Sequence, residues 1–214
     1  MANIKKLLEG YQRFYKKYFV SDDSLYRTLS RSGQSPKTLI ISCSDSRVDP
    51  SIISDADPGD IFVIRNVANL IPPYEPSDHG LHGVSAALEF AVRILKVENI
   101  VVMGHSKCAG VQTLLHPESL ESCEFVGQWV HVGQPAKTKA MARCHENNQY
   151  SLVHECEKEV ILLSLEHLKN FPWIKERVEA GNLSLYGWYF DINDGCLYQY
   201  DPQKRLFQTL CEKG

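Results

Sequence analysis

The sequence has 214 residues, of which 43% are hydrophobic and 23% charged, and its formal net charge is -3 at pH 7. This length allows one domain with a substantial core, and the charge balance excludes a basic footprint for nucleic acid or an anionic membrane. No apolar run approaches the roughly 20 residues of a membrane span, so neither nucleic acid nor membrane is expected as a partner.

The seven cysteines also bear on the compartment. Their odd number and scattered positions argue against a disulfide scaffold, and no secretory signal is visible at the N-terminus. Reduced thiols fit a cytosol-like compartment, where some of them can serve as metal ligands. We therefore predict a cytoplasmic protein.

The N-terminal region predicts a helical arm over residues 1–31. Its first helix has apolar residues at helical spacing between Ile4 and Tyr18. A second, short helix is expected near Asp22–Arg31, with Ser21 or Asp22 as its cap.

The middle of the chain alternates between strand-like and helix-like segments. Strands are predicted at Thr38–Ser42, Asp60–Ile64 and Asn99–Met103, with a helix at Leu81–Lys96 and another starting just after Lys107. Because the strands are continuously apolar, this alternation indicates a buried parallel sheet covered by helices.

The C-terminal third predicts a long helix marked by Val153–His167 and then a hairpin. Its two arms are Leu183–Ile192 and Cys196–Tyr200, joined by an Asn-Asp-Gly turn. Residues 116–150 give only a weak signal for a short helix around Trp129. The predicted fold class is α/β: a mostly parallel central sheet flanked by helices, an antiparallel C-terminal strand or hairpin, and an N-terminal helical arm. We expect one domain over residues 1–214.

Metal-type residues follow two of the predicted strands. Cys43 ends the first strand, and His105 and Cys108 follow the third. Ligands of open α/β sheets bind outside the carboxyl ends of the strands, where distant loops can meet. Together these residues make a Cys2His set that suits zinc, and three protein ligands leave the fourth position open, as in catalytic sites.

A carboxylate and a guanidinium stand beside the first of these cysteines. Two thiolates neutralise the formal charge of Zn²⁺, so the metal needs help from the surrounding residues to acidify a bound water. Asp45 can accept a hydrogen bond from that water, and Arg47 can hold Asp45 by a charge-assisted contact. Arg47 would thereby prevent Asp45 from closing the fourth position.

Four segments resemble those of β-class carbonic anhydrases. Cys43–Val48 and Gly104–Cys108 are similar to the two signature motifs of that family, and Pro58–Asn69 and Ser85–Val92 resemble the segments around them. The resemblance covers most of residues 30 to 200, in order and with similar spacing.

The resemblance implies a reaction and roles for individual residues. It implies reversible hydration of carbon dioxide to bicarbonate and a proton by zinc-bound hydroxide, with one Zn²⁺ per chain. It makes Cys43, His105 and Cys108 the ligands, and Asp45 and Arg47 the activating pair. It also implies a homodimer or higher homo-oligomer, in which the N-terminal arm packs on a partner subunit.

Further residues are implied to form the substrate pocket of a plant-like member. Gln34 matches a glutamine that contacts substrate, often from the neighbouring subunit, and Phe62 and Val67 match apolar pocket residues. There are departures, since Phe90 stands where many members have tyrosine and Ala109 replaces a common glycine.

One further residue implies that the fourth position of the metal stays open. Regulated members have a tryptophan three residues before the first cysteine, where this chain has Ile40. We therefore expect Asp45 to be paired with Arg47 rather than bound to the metal.

Three alternatives stay open at this point. A related zinc hydrolase of carbon disulfide or carbonyl sulfide shares the metal motifs, and a non-catalytic zinc-binding assembly protein could share the fold. The segment Gly104–Cys108 also resembles the nucleophile elbow of a serine hydrolase around Ser106, although Cys108 replaces the last glycine of that motif.

Overall fold

The structure is a computed structural model that describes residues 2–20, 24–76, 82–120, 123–146 and 151–211. Its centre is a six-stranded sheet with the strand order β2-β1-β3-β4-β5-β6. The strands are β1 Thr38–Cys43, β2 Ile61–Asn66, β3 Asn99–His105, β4 Ser184–Phe190, β5 Leu197–Asp201 and β6 Leu206–Thr209. The first four strands in chain order pair in parallel, and β5 and β6 extend the sheet as antiparallel strands.

Nine α-helices surround this sheet in the part of the chain that the structure describes. They are α1 Ala2–Phe19, α2 Leu25–Ser32, α3 Pro50–Ile53, α4 Gly83–Glu89, α5 Ala109–Leu115, α6 Val126–His131, α7 Gln134–Glu146, α8 Leu152–Leu168 and α9 Pro172–Glu179. Shorter helical turns cover Val67–Asn69, Phe90–Ile94 and Pro117–Leu120. None of the described helices is both long and apolar enough to cross a membrane.

Helix α8 packs closely on the centre of the sheet because glycines on two strands make room for it. A Cβ atom at Gly104 would lie 2.7 Å from Ile161 of this helix, and one at Gly187 would lie 3.0 Å from the same side chain. Strands β1 and β3 are buried along nearly their whole length. The helix therefore covers the carboxyl end of β3, where the predicted metal residues begin.

The α/β fold predicted from the sequence is confirmed, including the parallel strands and the C-terminal hairpin. Several boundaries differ from the predicted ones, and three of the differences concern how an element ends or is capped. The third strand runs on to His105 rather than ending at Met103, so this histidine is held by the sheet itself. Helix α4 stops at Glu89 and continues as a single π-helical turn to Ile94. Helix α2 is capped by Ser24, whereas both predicted caps lie outside the described residues.

Among the helices and strands, α3, α7, α9 and β6 have no counterpart in the sequence-based prediction. Helix α7 buries only Ala136 and Ala140, so its core-facing side carries no strongly apolar pattern. The eight-residue helix α9 starts at Pro172, and the four-residue strand β6 lies at the sheet edge. Such short or weakly apolar segments are fixed by packing against neighbours, which local patterns do not report.

Candidate metal centre

The three candidate ligands meet because β1 and β3 are adjacent parallel strands. Cys43 is the last residue of β1 and His105 the last residue of β3. Cys108 stands immediately before α5, after a turn in which Lys107 has a left-handed backbone with φ of 58°. This turn reverses the chain within three residues, which brings Cys108 back towards the strand ends.

The ligand atoms form one compact group. The Sγ atoms of Cys43 and Cys108 are 3.8 Å apart, and all three ligand atoms lie within 4.8 Å of one another. All three residues are buried, His105 with an exposed fraction of only 1%. Two sulfurs and one imidazole nitrogen in such a cluster are the donor set of a zinc site with an open position.

The imidazole of His105 gives a separate indication that a cation belongs here. Its Nδ1 lies 2.9 Å from the carbonyl oxygen of Ser106, so Nδ1 carries the proton and donates it to that carbonyl. The Nε2 atom is then an acceptor, yet it is buried and makes no hydrogen bond within the described part of the chain. A buried unpaired acceptor beside two thiols fits a metal ligand.

The two thiols share one proton. A hydrogen bond from Cys108 lowers the pKa of Cys43 to about 4, and the same contact raises the pKa of Cys108. The pair therefore holds one thiolate and one thiol when the ligand atoms are alone. Binding of a cation needs only one further proton to leave the pair.

The carboxylate of Asp45 is held by Arg47 through two parallel hydrogen bonds. Nε of Arg47 donates to Oδ1 at 2.9 Å, and Nη2 donates to Oδ2 at 2.7 Å. This contact holds the pKa of Asp45 well below its usual range, so the carboxylate stays ionised. Arg47 Nη2 also donates to the carbonyl of Lys107, which links the loop after β1 to the turn after β3.

Arg65 is a supporting residue that the sequence reasoning did not single out. It lies in β2 and donates to the carbonyl oxygens of Cys43 and Asp45 at 3.1 and 2.6 Å, and to the carboxylate of Asp49 at 2.8 Å. These bonds fix the backbone of the loop that carries Cys43. In the sequence, Arg65 directly follows the predicted strand Asp60–Ile64, and this position at a strand end was the available signal.

A buried carboxylate behind Cys108 was also missed. Glu157 of α8 accepts a hydrogen bond from the backbone N–H of Cys108 at 3.0 Å and another from the hydroxyl of Tyr189 at 2.9 Å. Burial raises the pKa of Glu157. A glutamate on the same helix face as the core residues Val153 and Val160 was the signal in the sequence.

The predicted pocket residues fall into two groups. Ala109 follows Cys108 directly, and a Cβ atom at Gly110 would lie 2.7 Å from Val67, so both predicted residues are close to the metal cluster. Phe62 is four residues before Asn66, the register partner of Cys43, and is therefore about 13 Å away along β2.

The remaining two pocket residues belong with Phe62. Phe90 stacks on the ring of Phe62 with a centroid distance of 5.9 Å. Gln34 is exposed and precedes β1, at the opposite end of that strand from Cys43. Within one chain, the structure thus brings Val67 and Ala109 to the cluster but not Gln34, Phe62 or Phe90.

The nucleophile-elbow alternative does not fit the surroundings of Ser106. Its hydroxyl donates to Asp191 at 2.9 Å and accepts from the backbone N–H of Ile192 at 2.8 Å. The hydroxyl is thus tied to the turn after β4, and no described histidine ring makes a hydrogen bond with it. A serine nucleophile needs such a base.

Known proteins with the same features are carbonic anhydrases. The family model described as carbonic anhydrase matches residues 38–197. Beta carbonic anhydrase 5, chloroplastic, of Arabidopsis thaliana is 45% identical over 87% of this chain, which spans 60% of that relative's length. Beta carbonic anhydrase 3 of the same plant is 35% identical over 90% of this chain and 74% of its own length.

Solved structures agree with the sequence comparisons. The β-carbonic anhydrase CcaA is 35% identical and superposes with a TM-score of 0.88, over 100% of this chain and 94% of that one. A structure described among two tetrameric β-carbonic anhydrases from Sordaria macrospora is 27% identical, with a TM-score of 0.76 over 93% and 97% of the two chains.

The chain belongs to the β class of the carbonic anhydrase family. The family is therefore as predicted, and the Cys-His-Cys cluster suits zinc, the predicted metal. The predicted cytoplasmic location is contradicted, because the relative with 45% identity carries a chloroplastic name. Reduced thiols were the basis of that prediction, and they do not distinguish one reducing compartment from another.

Proposed function

We propose that this chain catalyses the reversible hydration of carbon dioxide to bicarbonate at the Cys-His-Cys cluster. The observation that carries the proposal is the combination of three buried ligand atoms within 4.8 Å with an adjacent carboxylate held away by an arginine. Membership of the β-carbonic anhydrase family supports carbon dioxide as the substrate.

Cys43, His105 and Cys108 would hold one zinc ion per chain. When bound, zinc supplies a water molecule of lowered pKa that can act as a nucleophile near neutral pH. The protein's own contribution begins with His105, whose Nδ1–H bond to the carbonyl of Ser106 leaves the lone pair of Nε2 available to the metal. Glu157 and Arg65 fix the backbone of the two cysteines from behind.

Asp45 would hold the proton of the nucleophilic water in place. Its ionised carboxylate can accept that proton in a hydrogen bond and so orient the oxygen lone pair towards the carbon of the substrate. Arg47 would keep Asp45 from reaching the metal, since it engages both carboxylate oxygens at 2.9 and 2.7 Å. Arginine suits this task because its planar fork matches a carboxylate.

We further propose that the substrate pocket is completed by a second copy of the chain. Val67 and Ala109 lie at the cluster of their own chain, whereas Gln34, Phe62 and Phe90 lie towards the other end of the strands. A partner could present this second group to the cluster. The tetrameric description of the Sordaria macrospora enzymes supports an assembly of several copies.

The proposed activity is tested by stopped-flow carbon dioxide hydration on protein of measured zinc content. We expect activity proportional to zinc at about one ion per chain and already present near neutral pH. Cys43→Ser should lose both zinc and activity, whereas Cys123→Ser, at an exposed cysteine outside the cluster, should retain both. Full zinc content with no hydration at any pH would contradict the proposal; turnover of carbonyl sulfide or carbon disulfide would then identify the related hydrolase.

A further inference from the structure

Two cysteines outside the metal centre lie opposite each other at one end of the β5–β6 hairpin. Strands β5 and β6 pair in antiparallel register with Tyr198 opposite Thr209. Continuing that register by two residues places Cys196 opposite Cys211. Both residues are half-buried, and both are free thiols.

The hydrogen bonds around this pair define its geometry. Leu210 donates its backbone N–H to Leu197, so these two residues form the hydrogen-bonded pair next to the cysteines. The backbone of Cys196 instead faces β4, where its carbonyl accepts from Asp191. Cys196 and Cys211 are therefore a non-hydrogen-bonded pair, in which the side chains share one face and Cα atoms are about 4.5 Å apart.

This arrangement suits a disulfide. Disulfides span Cα distances of about 4.4–6.8 Å, a range that includes the non-hydrogen-bonded pair. The thiol of Cys211 is the main cause of a raised pKa at Cys196, in agreement with two side chains that share one face. The strand register by itself therefore places the two side chains within reach of a disulfide.

We propose that Cys196 and Cys211 form a cross-strand disulfide when the protein meets an oxidised low-molecular-weight disulfide. The thiolate of one cysteine attacks a sulfur of oxidised glutathione and releases one glutathione thiol. The second cysteine then attacks the mixed disulfide and releases the other. Two protein thiols are oxidised, one glutathione disulfide is reduced to two thiols, and the new bond ties β6 to β5.

The bond would also fix the turn between β4 and β5. The carbonyl of Cys196 accepts from the backbone of Asp191 at 2.8 Å, and the carboxylate of Asp191 accepts from Ser106 at 2.9 Å. Ser106 lies between the ligands His105 and Cys108 in sequence. The disulfide therefore stabilises an edge strand and the turn that contacts the metal-site segment.

The test uses the full, zinc-loaded chain equilibrated with mixtures of oxidised and reduced glutathione. Free thiols are alkylated after unfolding, and the mass and a non-reduced tryptic map are recorded. We expect the count to fall from seven thiols to five, with zinc content unchanged. Trypsin can cut at Lys204 and Arg205, between the two cysteines, so the disulfide joins two separate peptides.

Two variants and a thermal measurement make the result decisive. Cys211→Ser should remain unlinked and collect a glutathione adduct at Cys196, whereas Cys123→Ser should behave as wild type. Oxidation should raise the melting temperature of wild type and leave that of Cys211→Ser unchanged. A wild-type protein that keeps seven thiols, carries only glutathione adducts, or links Cys43 to Cys108 with loss of zinc would overturn the proposal.

Discussion

At the scale of single residues, Arg47 connects the two segments that carry the proposed metal ligands. It holds both oxygens of Asp45 and also donates to the carbonyl of Lys107 at 3.1 Å. Almost half of its side chain is exposed, so its value for folding is small. Its proposed importance is that it holds the carboxylate of Asp45 away from the metal position.

Replacing Arg47 by alanine should depress activity without loss of zinc. Asp45 would then be free to reach the metal, and we expect a decrease in kcat of about 10–100-fold, the usual cost of removing such a partner. The kcat of Arg47→Lys should lie between those of wild type and Arg47→Ala, because an ammonium cannot engage both carboxylate oxygens as a guanidinium does. Arg93→Ala, which removes another surface ion pair that does not involve the metal cluster, is the matched control. Full activity of Arg47→Ala would contradict the role given to this pair.

Glu157 is the residue that supports Cys108 from the core. Glu157→Ala would leave the Cys108 N–H without its acceptor, at a cost of about 1–3 kcal/mol. We expect zinc affinity to fall about tenfold or more, measured by competition with a chelator. Tyr189→Phe removes the second bond of Glu157 and a contact with Nδ1 of His154, but leaves the bond to Cys108 in place, and should retain zinc nearly as wild type does. Equal losses in the two variants would place the effect in general packing rather than in the support of Cys108.

At the scale of elements, an ion pair joins α7 to α8. Nη1 of Arg143 lies 2.9 Å from Glu159, whose side chain is 3% exposed, and 3.6 Å from Glu155. Burial raises the pKa of Glu159, and the charge of Arg143 works in the opposite direction. Helix α7 buries only the small side chains of Ala136 and Ala140, so this pair adds to the attachment of α7 to α8.

Arg143→Ala should destabilise the protein more at pH 8 than at pH 5. The substitution leaves an ionised buried carboxylate, at a cost of about 1–3 kcal/mol. Because the folded-state pKa of Glu159 is raised, its ionised form disfavours folding at high pH, and this cost disappears as the carboxylate is protonated on acidification. Urea unfolding of the variant and wild type at both pH values measures the difference. Adding Glu159→Gln should remove the pH dependence, and its persistence would show that another group is responsible.

At the scale of the whole molecule, the N-terminal arm is only partly covered. Rings of α1 pack on Tyr26 of α2, with Phe14 at a centroid distance of 5.2 Å. The other face is exposed, with Leu7, Tyr11 and Tyr15 between 47 and 68% accessible. A partner subunit that covers this face would fit the proposal that the pocket is shared between copies.

A shared pocket predicts that inactive variants restore each other. Gln34→Ala keeps its metal ligands, and Cys43→Ser keeps Gln34, so a dimer of one chain of each has one complete site. Random reassembly at equal amounts should recover about a quarter of wild-type activity, since half of the dimers are mixed and each has one site. Gln34→Ala mixed with a chain carrying both substitutions should recover nothing. No recovery in the first mixture, despite formation of mixed dimers, would place Gln34 at its own chain's site.

Much of this protein could be predicted from local features of the sequence. Continuous apolar strands before Cys43 and before His105 placed both at the carboxyl edge of a parallel sheet, where the spacing of His105 and Cys108 suits one ion. The Asp-x-Arg spacing likewise predicted a contact that needs only one turn of chain. These features are local in sequence, so periodicity and residue chemistry report them.

The tertiary structure decided what depends on distant parts of the chain. Glu157 and Arg65 reach the ligand backbones across 49 and 22 residues, and only the packing of α8 and the pairing of β2 bring them there. The register of β5 and β6 likewise places Cys196 opposite Cys211, a relation that no spacing rule contains. Sequence patterns report which face of an element is buried. Which residues contact that face depends on the whole fold, because these contacts join residues that are distant in sequence and close only in three dimensions.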